Sequence, residues 1–205
     1  MLTCFLDNDV ILKLSAFDLF DETLSILNLS WQQLQVVSSA QYTFRGKRYI
    51  NQYSEPVCQK AIAIARQCQI VTVESISEFA LLNGVKKIDA GEAELIAATA
   101  NREVFWLVTG DKNCLEALAT APNLESICNR LRGRTICLEQ LIYKLIELKG
   151  FTWVQERIIV GQECDRAIKI IFGWSEPASE ATVLEGLQSY INDVQLRSQG
   201  LLANL

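Results

Sequence analysis

The sequence predicts an α/β fold, a three-layer α/β/α sandwich around a mostly parallel five-stranded sheet. Five short apolar runs, at residues 3–6, 34–37, 69–73, 104–108 and 135–138, alternate with longer amphipathic stretches. That alternation is the pattern of βαβ units. The fourth run, Val104-Phe-Trp-Leu-Val108, is continuously apolar, as expected for a strand buried on both faces of a parallel sheet. Two runs end on an acid, Leu2-Thr-Cys-Phe-Leu-Asp7 and Val108-Thr-Gly-Asp111. Open α/β sheets place ligands outside the carboxyl ends of their strands. Asp7 and Asp111 are therefore expected at one sheet edge, on neighbouring strands.

The remaining elements follow in order. Val10-Ile-Leu-Lys-Leu14 reads as a helix capped by Asp9, and Leu19, Leu24, Leu27 and Leu29 suggest a second. Tyr42-Thr-Phe-Arg-Gly-Lys-Arg-Tyr49 interleaves Arg45, Lys47 and Arg48 with three rings. Such a mix suits a loop that holds phosphates and stacks bases, or an ordinary solvated turn. Pro56 opens a helix through Ala61, Ile62, Ala65 and Cys68. A helix from Ile76 to Leu82 stops at Asn83-Gly84. Asp89-x-x-Glu92 is a capping-box pattern at the head of the next helix. At about 100° per residue, Glu92 shares a face with Leu95, Ile96 and Thr99, and Glu94 lies about 200° away. Glu92 is thus the acid that faces the sheet. Residues 114–118 and 139–148 read as helices, and Asn129-Arg-Leu-Arg-Gly-Arg134 is a second basic cluster.

Composition narrows the chemistry. The chain has 205 residues, half of them hydrophobic, enough for one sizeable core with an appendage. No apolar stretch approaches the ~20 residues that cross a bilayer. The N-terminus lacks a basic region before its apolar run, so a cytoplasmic protein without membrane contact is expected. The net charge of −5 gives no support to a globally basic nucleic-acid clamp. Histidine is absent, which removes imidazole as base, shuttle or ligand. Carboxylates with a hard ion such as Mg²⁺ or Mn²⁺ remain available. Seven cysteines, none spaced as a Cys-x-x-Cys pair, read as reduced, buried thiols.

Composition changes at 151. Residues 1–150 form the α/β domain and 151–205 a helical extension with four basic and seven acidic residues. Trp153 to Ile171 reads as one amphipathic helix, Gly173-Trp-Ser-Glu-Pro177 as a break, and Val183 to Val194 as a second helix. Together they predict a helical hairpin, packed on the core or on a partner.

Three of these stretches resemble the PIN-domain nuclease family. Asp7-Asn-Asp-Val-Ile-Leu12 is similar to the family's opening strand end. Gly91-Glu-Ala-Glu-Leu-Ile-Ala-Ala-Thr-Ala100 resembles its second-half helix in a Gly-Glu variant. Val108-Thr-Gly-Asp-Lys-Asn113 resembles its strand-ending Thr-x-Asp. The resemblance covers about residues 1–145 and implies hydrolysis of RNA at a carboxylate-bound Mg²⁺ or Mn²⁺. It implies Asp7, Glu92 and Asp111 as catalytic metal ligands, with Glu94 as a further candidate. Asp9, Thr109 and Asn113 would support the site, and Arg45, Lys47, Arg48 and Lys112 would hold nucleic acid, with Arg130, Arg132 and Arg134 as further candidates. Many such proteins are toxins paired with an antitoxin, and many dimerise, so an antitoxin or a second copy is the expected protein partner, with 151–205 as its surface. DNA is the alternative substrate.

The chain departs from the family after its second strand, where Val36-Val-Ser-Ser-Ala-Gln-Tyr-Thr-Phe44 carries no acid. Either Glu74 or Glu78 folds back to replace it, or the site is one carboxylate short. A catalytically silent PIN-like binding module is therefore an alternative. A second is a haloacid-dehalogenase-type phosphatase, suggested by Asp7-Asn-Asp9. Against it, Ile11 and Leu115 stand where that pattern needs a Thr or Val and a late acid.

Overall fold

The computed structural model describes residues 2–205. Its first half runs β1 (Thr3–Leu6), α1 (Asn8–Ala16), α2 (Phe20–Ile26), β2 (Leu34–Val36), α3 (Ala40–Thr43), α4 (Lys47–Tyr53), α5 (Glu55–Gln67) and β3 (Gln69–Ile70). It continues with α6 (Ile76–Asn83), α7 (Ala90–Ala97), β4 (Phe105–Val108), α8 (Lys112–Thr120), α9 (Glu125–Leu131), β5 (Thr135–Ile136) and α10 (Leu138–Lys149). The extension holds α11 (Phe151–Gly161), α12 (Arg166–Phe172) and α13 (Glu180–Arg197).

The five strands form one all-parallel sheet in the order β3-β2-β1-β4-β5. β1 is central and fully buried, as its apolar Thr-Cys-Phe-Leu run dictates. It pairs β2 on one side and β4 on the other, with Leu6 opposite Val108. The chain steps outward from β1 to β3, returns beside β1 as β4, and steps outward again. That reversal is a topological switch point, and the crevice it opens lies between the ends of β1 and β4. Right-handed crossovers then put α1–α5 on one face and α6–α9 on the other. The observed partners agree, with α1 against α5, α6 against α7, and α8 against α9. Phe5 and Phe105 pack edge to face at 6.1 Å across the central strand pair.

Several boundaries differ from the sequence expectation for local reasons. The fifth strand stops at Ile136 because Cys137 caps α10 and Leu138 is already helical. The first helix begins at Asn8, so Asp7 rather than Asp9 holds the cap position and Asp9 sits in the first turn. There a carboxylate is favoured by the helix dipole. The 42–49 stretch is two helical segments, with Phe44 fully buried in the core. It is not an extended basic loop.

The extension is not a simple hairpin. The expected single helix from 153 to 171 breaks after Gly161, and Asp165 caps a new helix by accepting from Ile168 N at 2.9 Å. The break follows from packing, because Gly161 lies against α1. A Cβ there would sit 2.5 Å from the Ala16 carbonyl oxygen. α13 packs on both α8 and α10 and so spans the β5 end of the sheet. Residues 201–203 then run beside β5, with Leu202 paired to Thr135 and Ala203 N donating to Thr135 O at 2.7 Å. The tail thereby covers an edge that would otherwise offer unpaired backbone groups. No helix among the described residues is long and apolar enough to cross a membrane.

Candidate acidic cleft at the sheet's carboxyl edge

Asp7 closes β1 and Asp111 follows β4, and the parallel pairing of these strands brings both to one edge. Thr109 ties them together. Its buried hydroxyl donates to Asp7 Oδ2 at 3.2 Å and accepts from Asp111 N at 3.1 Å. Asp111 caps α8 through Oδ1, which accepts from Asn113 N at 2.7 Å and Cys114 N at 3.0 Å. Only one of its oxygens is used in that cap. Glu92, on the first turn of α7, is buried and completes a capping box by accepting from Asp89 N at 2.8 Å. Capping and facing the cleft are compatible, because Glu92 also borders the cavity.

These side chains line a cleft of about 630 Å³. Its walls carry five carboxylates, Asp7, Asp9, Asp89, Glu92 and Asp111, against three cations, Lys13, Arg48 and Lys112. Lys13 is already held by Asp9, and the acids outnumber the cations by two. Burial raises Asp7 to about 7, and Asp9 and Asp89 push in the same direction against the Thr109 and Asn8 hydrogen bonds. Burial likewise raises Glu92 to about 8, opposed by the Asp89 N–H and reinforced by Asp7 and Asp111. Burial also lifts Glu139, on α10, to about 7. The Cys114 thiol, buried beside Glu92, is pushed well up and stays protonated.

All three acids thus hold protons more tightly folded than unfolded, where carboxyls titrate near ~4. Their contribution to stability is complete below that value and is lost as pH rises through about 7–8. Metal-free protein is expected to melt at a higher temperature at pH ~5 than at pH ~8, read by thermal scans in chelator. A flat or rising profile would contradict the burial of these carboxylates.

The residues singled out from sequence separate into two groups. Asp7, Asp9, Glu92, Asp111, Asn113, Arg48 and Lys112 border the cleft, and Thr109 lies directly behind it. Glu94, Arg45 and Lys47 do not border it, because the 100° helical step turns Glu94 away from Glu92 and the turn before α4 carries Arg45 and Lys47 past the rim. Arg45 instead lies over the Tyr42 ring at 5.7 Å. The second basic cluster is structural. Arg130 makes a two-pronged pair with Glu78 and donates to Thr99. Arg132 bonds Asn129. Arg134 stacks on Phe105 and precedes β5, at the opposite end of the strands. Neither late acid replaces the one missing after the second strand, since Glu78 is taken by Arg130 and Glu74 pairs with Arg102.

Residues not anticipated from sequence also shape the cleft. Lys13 bridges Asp9 at 2.5 Å and Asp165 of the extension at 2.6 Å. Tyr53 donates to Asp9 Oδ1 at 3.0 Å, and Tyr190 of α13 forms part of the wall beneath Lys112, whose ammonium lies 5.1 Å from its ring. The Asp9–Lys13 pair had a legible signal in its i, i+4 spacing. Asp165 and Tyr190 had none, because only the packing of the extension brings them there.

The donor set is all oxygen, with no imidazole and no ionised thiol, and two of its acids need protons or a cation to settle their charge. That fits a hard ion such as Mg²⁺ or Mn²⁺. Among the described residues no three Asp, Glu or Cys side chains close into one ligand shell. An ion in this cleft would therefore take one or two carboxylates directly and keep water for the rest, which is how Mg²⁺ is commonly held. The seven cysteines are all unpaired. Comparison of the chain with protein-family models, with curated proteins and with solved structures gave no match.

Proposed function

We propose that the chain is a Mg²⁺- or Mn²⁺-dependent nuclease that hydrolyses phosphodiester bonds of RNA, working in the cytoplasm where its thiols stay reduced. One observation carries this reading: Asp7 and Asp111, joined through Thr109 at the switch point, face the cleft together with buried Glu92. The resemblance to PIN-domain nucleases supports it from the sequence side. When bound, the divalent ion supplies an activated water and offsets charge on the phosphoryl oxygens. Asp7, Glu92 and Asp111 would hold that ion, one or two of them directly and the rest through water, while Thr109 fixes the first and last of them in register. Lys112 and Arg48, both in the cleft lining, hold the substrate's phosphates, and each lies over a tyrosine ring, Tyr190 and Tyr49 respectively. An antitoxin or a second copy of the chain is the proposed protein partner.

A second reading, a binding module without hydrolysis, draws on the acids' failure to close into one shell. Mn²⁺ calorimetry near neutral pH on wild type and Asp111→Asn, followed by cleavage of single-stranded RNA and DNA, separates the two. The nuclease reading expects Mn²⁺ binding in wild type and at least about 100-fold weaker binding in the variant, with RNA cleaved in preference. Absence of binding in both removes it. Binding without cleavage of either nucleic acid favours the module.

Substrate contacts are tested separately. Arg48→Ala is expected to weaken RNA binding and to lower its dependence on log salt by roughly one ion. Arg130→Ala is expected to leave RNA affinity unchanged and to destabilise the fold, since it strands Glu78. The reverse result would move the nucleic-acid surface to the other end of the sheet.

A further inference from the structure

Lys13 is the one cleft cation that is both largely buried and held by carboxylates from two distant parts of the chain. Its side chain is 12% exposed and bridges Asp9 and Asp165. Asp165 is itself buried and fixed by capping α12. Glu139 is buried within the electrostatic reach of both Lys13 and Asp165. Tyr53 holds the other Asp9 oxygen. This compartment adjoins the Asp7–Glu92–Asp111 acids directly. A Cβ on Gly110, the residue before Asp111, would lie 2.7 Å from Asp9 Oδ2 and 3.5 Å from Lys13 Nζ. The absence of a side chain at 110 is what lets the ammonium come so close to the strand end.

Two adjacent carboxylate compartments are the layout that elsewhere accommodates a pair of divalent ions about 4 Å apart. Here one of the two is filled by the chain's own ammonium. We propose that Lys13 is a resident cation, locked in place by Asp165 of the extension. The cleft then admits a single divalent ion, at Asp7, Glu92 and Asp111, and takes its second positive charge from Lys13. This inference rests on the metal-dependent reading above. It also gives the extension a role at the site: Asp165 is a positioning residue that keeps Lys13 on Asp9.

Mn²⁺ calorimetry on the full chain tests it through stoichiometry. Wild type is expected to bind about one ion per chain, Lys13→Ala about two, and Lys13→Ala/Asp165→Asn about one again. About two ions in wild type overturn the inference, as does a Lys13→Ala variant that still binds about one. Either result leaves the nuclease reading standing. No binding in wild type removes both. Should Lys13→Ala fail to fold without metal, its melting temperature is followed against Mn²⁺. The inference requires recovery of the fold and a steeper rise than in wild type, because the ion then has two places on the folded state. A rise no steeper than that of wild type overturns it.

Discussion

Asp7→Asn is expected to abolish Mn²⁺ binding and nuclease activity while making the metal-free protein more stable. The substitution keeps the shape and the acceptor for the Thr109 hydroxyl. It removes a half-buried charge that sits among other acids and whose pKa is raised to about 7. Loss of a direct ligand costs more than the ~10–100-fold typical of outer-shell changes. At pH ~8 the relief of repulsion is worth about 1 kcal/mol, or ~2–4 °C in melting temperature. Opposite signs for function and stability mark a site residue, because a purely structural acid would lose both. Calorimetry and thermal scans in chelator read the two effects. Mn²⁺ affinity within about threefold of wild type would take Asp7 out of the site, since ligands are worth more than that.

Gly161→Ala is expected to lower stability by about 2–3 kcal/mol and the melting temperature by about 5–10 °C. The added Cβ would meet the Ala16 carbonyl oxygen. That atom belongs to the α1 backbone and cannot swing aside as a side-chain end would. The strain falls where the extension turns back onto the domain, four residues before Asp165. A melting temperature within about 1 °C of wild type, less than half a kcal/mol, would mean that α11 is free to shift on α1.

The layout of the sheet was legible from residues 104–111 and 2–7, because a continuous apolar run ending on an acid states both the strand and the edge at which its acid sits. Glu92 was legible from the helical period, which separates it from Glu94. The basic stretches were not. Arg45, Lys47, Arg130 and Arg134 look alike in sequence, yet only the fold decides whether a cation meets solvent, a ring or a buried acid. Phe44 shows the same limit, since a ring beside cations suggested stacking on bases and is instead fully buried. Lys13 could have been paired with Asp9 from their spacing. Its second partner, Asp165, depends on where a broken helix lands, and nothing local encodes that. Of the two alternatives left open after the second strand, a later acid folding back is not what the fold shows, since Glu74 and Glu78 are both paired with arginines elsewhere.

The central position of β1 bears on how the protein is made. The strand's neighbours on both sides lie later in the chain, β2 soon after and β4 about half a chain later. Tyr190 of the cleft wall, and Asp165 that pairs with Lys13, come later still. A nascent chain therefore carries Asp7 well before Thr109, its hydrogen-bond partner, and Asp111 are made. The acidic cleft is thus assembled from segments spread from β1 to α13 and has no local precursor. Non-local pairing of this kind is slow to form, so the site is among the last features of the fold to be completed.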